Sequence, residues 1–202
     1  MSKFFPLIFI LLWSSAFITT LPIVLNSDPF SALAFRFFFV GLCFFAFCIY
    51  KKLHLKVSIN NLINSLSTGI LFHGFYLGGV FYAIFIGLPT GIVALIVTLQ
   101  PILTNIFAGY ILNENVSFKQ WIGVLMGFTG AVLVIGFDVG KSLPLEGIIS
   151  TLIALLAITI STIWQKKVSD NIPLAVNNMY QAIGAVLFHF CLLYTSPSPR
   201  DS

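Results

Sequence analysis

Residues 30–50 read FSALAFRFFFVGLCFFAFCIY, an apolar run with a single charged residue, Arg36. A hydrocarbon layer is crossed by about 20 helical residues, so this stretch is long enough to span one. Runs of similar length recur along the chain: Phe4–Val24, Phe30–Tyr50, Leu62–Phe85, Gly91–Leu112, Gln120–Phe137, Glu146–Ile163, and a last one opening near Pro173. Backbone amides in hydrocarbon must find partners inside the protein, which predicts helices. The runs do not alternate with period two, as strands of a membrane barrel would. The predicted fold class is all-α, a polytopic transmembrane helical bundle.

Composition agrees. The chain has 202 residues, of which 58% are hydrophobic and 8% charged. A soluble domain carries about 25% charged residues, so this chain has too few to cover a water-facing surface. The net charge of +4 does not point to nucleic acid, because the lysines are spread one to three per joint between runs. With Lys3 and the N-terminus in the cytoplasm, the joints carrying Lys51, Lys52 and Lys56, then Lys119, then Lys166 and Lys167, all fall inside. Only Lys141 falls outside, which satisfies the positive-inside rule. Lys3, the apolar stretch after it and Ser14-Ser15-Ala16 have the layout of a signal peptide. Apolar residues continue to Val24 and further spans follow, so an uncleaved first helix is expected. The lipid bilayer and a small-molecule substrate are the expected partners, with a bacterial inner membrane as the location; a homodimer is left open.

Polar residues inside the runs are the candidates for function. Arg36 lies about two turns into its helix; a membrane-embedded Arg is costly and must find protein, water or headgroups. It is read either as a snorkelling or paired residue, or as a contact for substrate. Pro101 removes a backbone donor in mid-span, and such breaks occur at transporter binding sites; the other reading is a packing kink. Gln100 beside it is the best polar cavity candidate. Trp13 is too deep for a simple interface anchor, and Ser15 lies beside it; cavity lining and core packing are both open for this pair. Tyr76 and Tyr82 are similar cases. His73 is a similar case, read as a packing group in preference to a proton relay, and Asn177, Asn178, Tyr180 and Gln181 are read as residues of the cytoplasmic interface. Gly74-x-x-x-Gly78 and Gly123-x-x-x-Gly127, with Gly130, favour close helix contacts.

Cys43 and Cys48 point in different directions on one helix and imply no disulfide. HExxH, GxSxG and the Walker pattern are all missing from the sequence, and no two acidic residues share a span. No catalytic residue, metal site or cofactor is therefore assigned. A polytopic membrane enzyme or a non-transporting scaffold is the rival reading.

With these residues in place the chain resembles the EamA-like family of the drug/metabolite transporter superfamily. Leu12-Trp13-Ser14-Ser15-Ala16-Phe17 is similar to the family's first-helix pattern, with Ser14 where Gly is usual. Ala34-Phe35-Arg36-Phe37 resembles its second-helix pattern. The stretch from Gly87 through Gln100-Pro101-Ile102 and Asn113-Glu114 to Gly123 and Gly127-Phe128-Thr129-Gly130 resembles its third-to-fifth-helix signature, with Asn113 replacing the usual Gly. The resemblance implies a secondary transporter of a small organic metabolite, working by alternating access. It also implies two inverted five-helix repeats. The residues expected to border the cavity are Trp13, Ser15, Arg36, Tyr76, Gln100 and Pro101. Residues 1–140 would form the first repeat and 141–190 part of the second. A first repeat with an odd number of spans makes the second run the opposite way. Residues 191–202 (Cys191-Leu192-Leu193-Tyr194-Thr195-Ser196-Pro197-Ser198-Pro199-Arg200-Asp201-Ser202) resemble a translated sequencing adaptor. The expectation is a carrier fragment, inactive alone, whose native sequence continues past about residue 190.

Overall fold

A computed structural model of the chain describes residues 4–111, 117–135, 143–168 and 172–195. Every regular element among them is helical: α1 Phe5–Asn26, α2 Pro29–Tyr50, α3 Ile59–Gly69, a π-helical segment Ile70–Tyr76, α4 Leu77–Phe85, α5 Thr90–Val97, α6 Gln100–Ile111, α7 Phe118–Ile135, α8 Leu145–Val168 and α9 Leu174–Thr195. Among the described residues, 5 helical stretches are long and apolar enough to cross a membrane, including Ile59–Phe85, which runs from α3 through the π segment to α4. Glu114 and Asp138 lie outside the described residues, as do Lys3 and Lys141.

Local chemistry sets the helix starts. Asp28 accepts a hydrogen bond from the Ser31 amide at 2.8 Å, with Pro29 following as the first helical residue; both are favoured there. Ser58 caps α3 in the same way, through the Asn61 amide. Between α4 and α5 the chain turns at Gly87, whose φ of 95° is open to glycine.

Leu33, Ala34, Phe37 and Cys48 form the buried side of α2, while Phe35, Phe38, Phe39, Leu42 and Phe45 are exposed. Exposed aromatic rings on that scale suit a lipid solvent, not water. The buried side of α2 meets α9, its most extensive neighbour. Gly41 lies opposite Ala182, so the two helices cross near their midpoints.

The π segment keeps one face of its long helix against α9. A Cβ on Gly69 would lie 2.3 Å from the Gln181 carbonyl oxygen, one on Gly74 2.7 Å from the Phe188 ring, and one on Gly78 3.3 Å from the His189 ring. In a regular α-helix, positions five apart diverge by about 140°. The wider π turn brings Gly69 and Gly74 onto one side. The expectation of close helix contact is met at Gly74 and Gly78. At Gly123, Gly127 and Gly130 a Cβ would find nothing within 4 Å among the described residues.

On the other side α8 packs against the π segment, α4, α5 and α6. Its hydroxyls join the helices: Ser150 donates to the Gly79 carbonyl at 3.0 Å and Ser161 to the Thr68 carbonyl at 3.0 Å. Small residues with hydroxyls are the usual means of close helix approach in lipid.

The joints fall at two ends. Cys48, Leu53, Leu55 and Val57 cluster with Ile172 and Val176, and the Tyr180 hydroxyl donates to the Leu55 carbonyl at 2.9 Å. The joint bearing Lys51, Lys52 and Lys56 therefore shares an end with the start of α9. Leu88, in the turn between α4 and α5, packs against Gly147 at the start of α8, which marks the opposite end.

Candidate functional site

Arg36 projects from α2 about 10 Å from its first residue, at 1.5 Å per residue. Its Cζ stands 5.7 Å from the centroid of the neighbouring Phe37 ring. Phe37 is buried and lies 4.6 Å from the His73 ring and 6.2 Å from the His189 ring, centroid to centroid. Phe37 of α2 thus meets the Arg36 cation and two imidazole rings, one from the π segment and one from α9.

These groups border a cavity of about 270 Å³, with Trp13, Arg36, His73 and Tyr76 among its lining residues. The rest of its wall is aromatic and aliphatic, with Thr20 supplying a hydroxyl. A small number of polar groups in an apolar wall is the usual make-up of a ligand pocket. Trp13, Phe17 and Phe72 also border a wider cleft of about 1150 Å³ that contains Gln100, Pro101 and Asn105. These aromatic residues stand where the cavity and the cleft adjoin.

The span holding Gln100 and Pro101 is interrupted. α5 ends at Val97, and α6 begins at Gln100. Pro101 sits in the first turn of α6, where its missing N–H is tolerated. The break therefore lies just ahead of the proline. Gln100 Nε2 donates to the Thr104 hydroxyl at 3.2 Å and reaches Thr162 of α8 at 3.5 Å.

Of the residues singled out in the sequence, Trp13, Arg36 and Tyr76 come together in the smaller cavity, and Trp13, Gln100 and Pro101 in the cleft. Ser15 lines neither: it is exposed on α1, and its hydroxyl donates to the Leu12 carbonyl at 2.8 Å. His73 borders the cavity, one of the two readings left open for it. Gln181 is 2% exposed and Asn177 5% exposed, so both face the protein interior. Gln181 lies beside His73, yet its Nε2 and the His73 Nδ1 both lack a hydrogen-bonding partner of good geometry.

His189 was not singled out in the sequence. It is fully buried, and its Nε2 donates to the His73 carbonyl at 3.0 Å. The signal was present, since Asn177, Gln181, Ala185 and His189 recur every four residues and share one face of α9.

The profile described as EamA-like transporter family matches residues 3–136. The chain belongs to the EamA-like transporter family. Two curated relatives come from Bacillus subtilis strain 168. The chain is 26% identical over 111 residues to the uncharacterized transporter YvbV, covering 55% of this chain and 35% of that protein. It is 33% identical over 113 residues to the uncharacterized transporter YyaM, covering 51% of this chain and 35% of that protein. The match thus spans about a third of each relative's length. No solved structure matches the chain. With this family membership and several helices long and apolar enough to span, it is a multi-pass membrane protein.

Proposed function

We propose that this EamA-like chain forms the substrate-binding half of a carrier that moves a small organic metabolite across the membrane by alternating access. The observation that carries the reading is the shared cavity of Trp13, Arg36 and Tyr76 within the spanning helices. An ionisable residue held in a membrane span is a functional residue by default. The broken span at Gln100 and Pro101, opening on the adjoining cleft, adds the discontinuous helix on which carriers commonly build their sites. The carrier performs no covalent chemistry on its cargo.

In this reading residues 1–140 are the first of two inverted repeats and 141–190 open the second. The chain alone is inactive because transport needs the remaining helices. The protein resides in a bacterial inner membrane with its N-terminus in the cytoplasm. The shared end of the Lys51–Lys56 joint and the start of α9 supports that orientation.

Reconstitution tests the proposal. The gene product read through beyond about codon 190 is placed in proteoliposomes, and Arg36→Ala is compared at matched incorporation. Solute flux that depends on Arg36 is expected. Flux unchanged by Arg36→Ala rules out this cavity as the transport site.

A further inference from the structure

We propose that the cavity at Arg36 takes an organic anion, a carboxylate carried on a compact apolar or aromatic body. The inference deepens the carrier reading of the same cavity and rests on it.

Charge favours an anion. A guanidinium stays protonated in proteins, and Arg36 stands within a spanning helix. Its neighbours are the Phe37 ring, His73 and Tyr76. Among the described residues no carboxylate pairs with it: Asp28 is engaged as the cap of α2, and Glu146 lies in the first turn of α8. The wall of the cavity contains no acidic side chain. A bound carboxylate would supply the missing counter-charge, with the two-point geometry that arginine favours. A substrate ammonium would instead meet a like charge with no acidic group to balance it. This disfavours cations and zwitterions.

A hydrogen-bonding site is also open. His73 borders the same cavity as Arg36, and its buried Nδ1 lies beside Gln181 without a bond of good geometry. Buried polar atoms nearly always find a partner, and a ligand acceptor in the cavity can compete with Gln181 for this one. In the tautomer protonated at Nδ1, the ring is a donor, and a carboxylate oxygen is the acceptor it lacks. Arg36 and His73 thus stand in a wall built largely by rings such as Trp13, Phe17 and Phe72, with Thr20 and Tyr76 adding hydroxyl-bearing side chains. At about 270 Å³ the space lies just below the usual ligand-pocket range, which suits a body the size of a single ring.

The test is equilibrium dialysis of radiolabelled phenylacetate against the chain in lipid nanodiscs. Unlabelled phenylacetate, neutral phenylacetamide and cationic phenethylamine serve as competitors. Saturable binding is expected, with the amide and the amine weaker competitors by about tenfold or more, the range of a charge-assisted pair. In Arg36→Gln the acid should lose its advantage over the amide. Comparing three near-isosteres on the unaltered chain keeps the test independent of how any variant folds. Absence of saturable phenylacetate binding, or competition by the amide or the amine equal to that of the acid, overturns the proposal. Binding requires no flux, so a failure of transport leaves this result standing. Flux of a cation without any preference for the acid would sink the anion site and leave the carrier intact.

Discussion

His189 of α9 donates a hydrogen bond to the main-chain carbonyl of His73, the two meeting at 3.0 Å inside the π segment. The bond fixes which nitrogen of His189 carries the proton, because a carbonyl only accepts. It also satisfies a backbone group where the regular α-helical ladder is interrupted, and it ties α9 to the wall of the cavity. Replacing His189 with Ala removes the donor and leaves a hole beside Phe37 and Gly78. The expected loss of stability is about 2–4 kcal/mol, read by reversible unfolding in bicelles. A loss below about 0.5 kcal/mol, the range of an unremarkable surface change, would show that the bond is not structural.

Gly69 and Gly127 make opposite predictions from the same substitution. A Cβ at Gly69 would lie 2.3 Å from the Gln181 carbonyl, and one at Gly127 would meet nothing within 4 Å. Gly69→Ala should force α3 and α9 apart, at about 1–3 kcal/mol or more. Gly127→Ala should be neutral, or stabilising by up to about 1 kcal/mol through helix propensity. Melting temperatures of the two variants in detergent decide the matter, and equal shifts would contradict the packing described.

Ser161 joins α8 to α3 through the Thr68 carbonyl. Such bonds in membrane proteins contribute about 0.6 kcal/mol on average, because the unfolded helix in lipid also finds partners. Ser161→Ala should therefore lower stability by well under 2 kcal/mol, measured by the same unfolding equilibrium. A larger loss would mean that Ser161 holds more than one helix contact.

Topology follows from the shared end of two joints. A fluorescent-protein fusion after Lys56 should glow in the bacterial cytoplasm, and an alkaline phosphatase fusion after Gly87 should be active in the periplasm. The reverse pattern at both positions would invert the orientation proposed from the lysines.

Much of the architecture was legible because hydrocarbon imposes one rule on every segment: apolar side chains outward and amides paired within. The run at 30–50 is α2 to within one residue. Arg36, Trp13 and Tyr76 stood out because polar or amphipathic groups are rare in such runs, and they meet in one cavity. What the sequence concealed depends on rotation of one helix against another. Gln181 and Asn177 lie near the start of α9 and look interfacial, but α9 turns them inward. Ser15 neighbours Trp13 in sequence yet lies on another face of α1. The π turn at Ile70–Tyr76 leaves no compositional mark; its signature is that glycines five and then four residues apart both face α9.

Transport through the Arg36 cavity can be read directly. Proteoliposomes holding the gene product read through past codon 190 can be incubated with a mixture of small organic acids, and the lumen analysed by mass spectrometry. At least one acid should accumulate with the native protein and none with Arg36→Ala at equal incorporation. Accumulation of the same acids to the same level with both proteins would show that transport does not pass through this cavity.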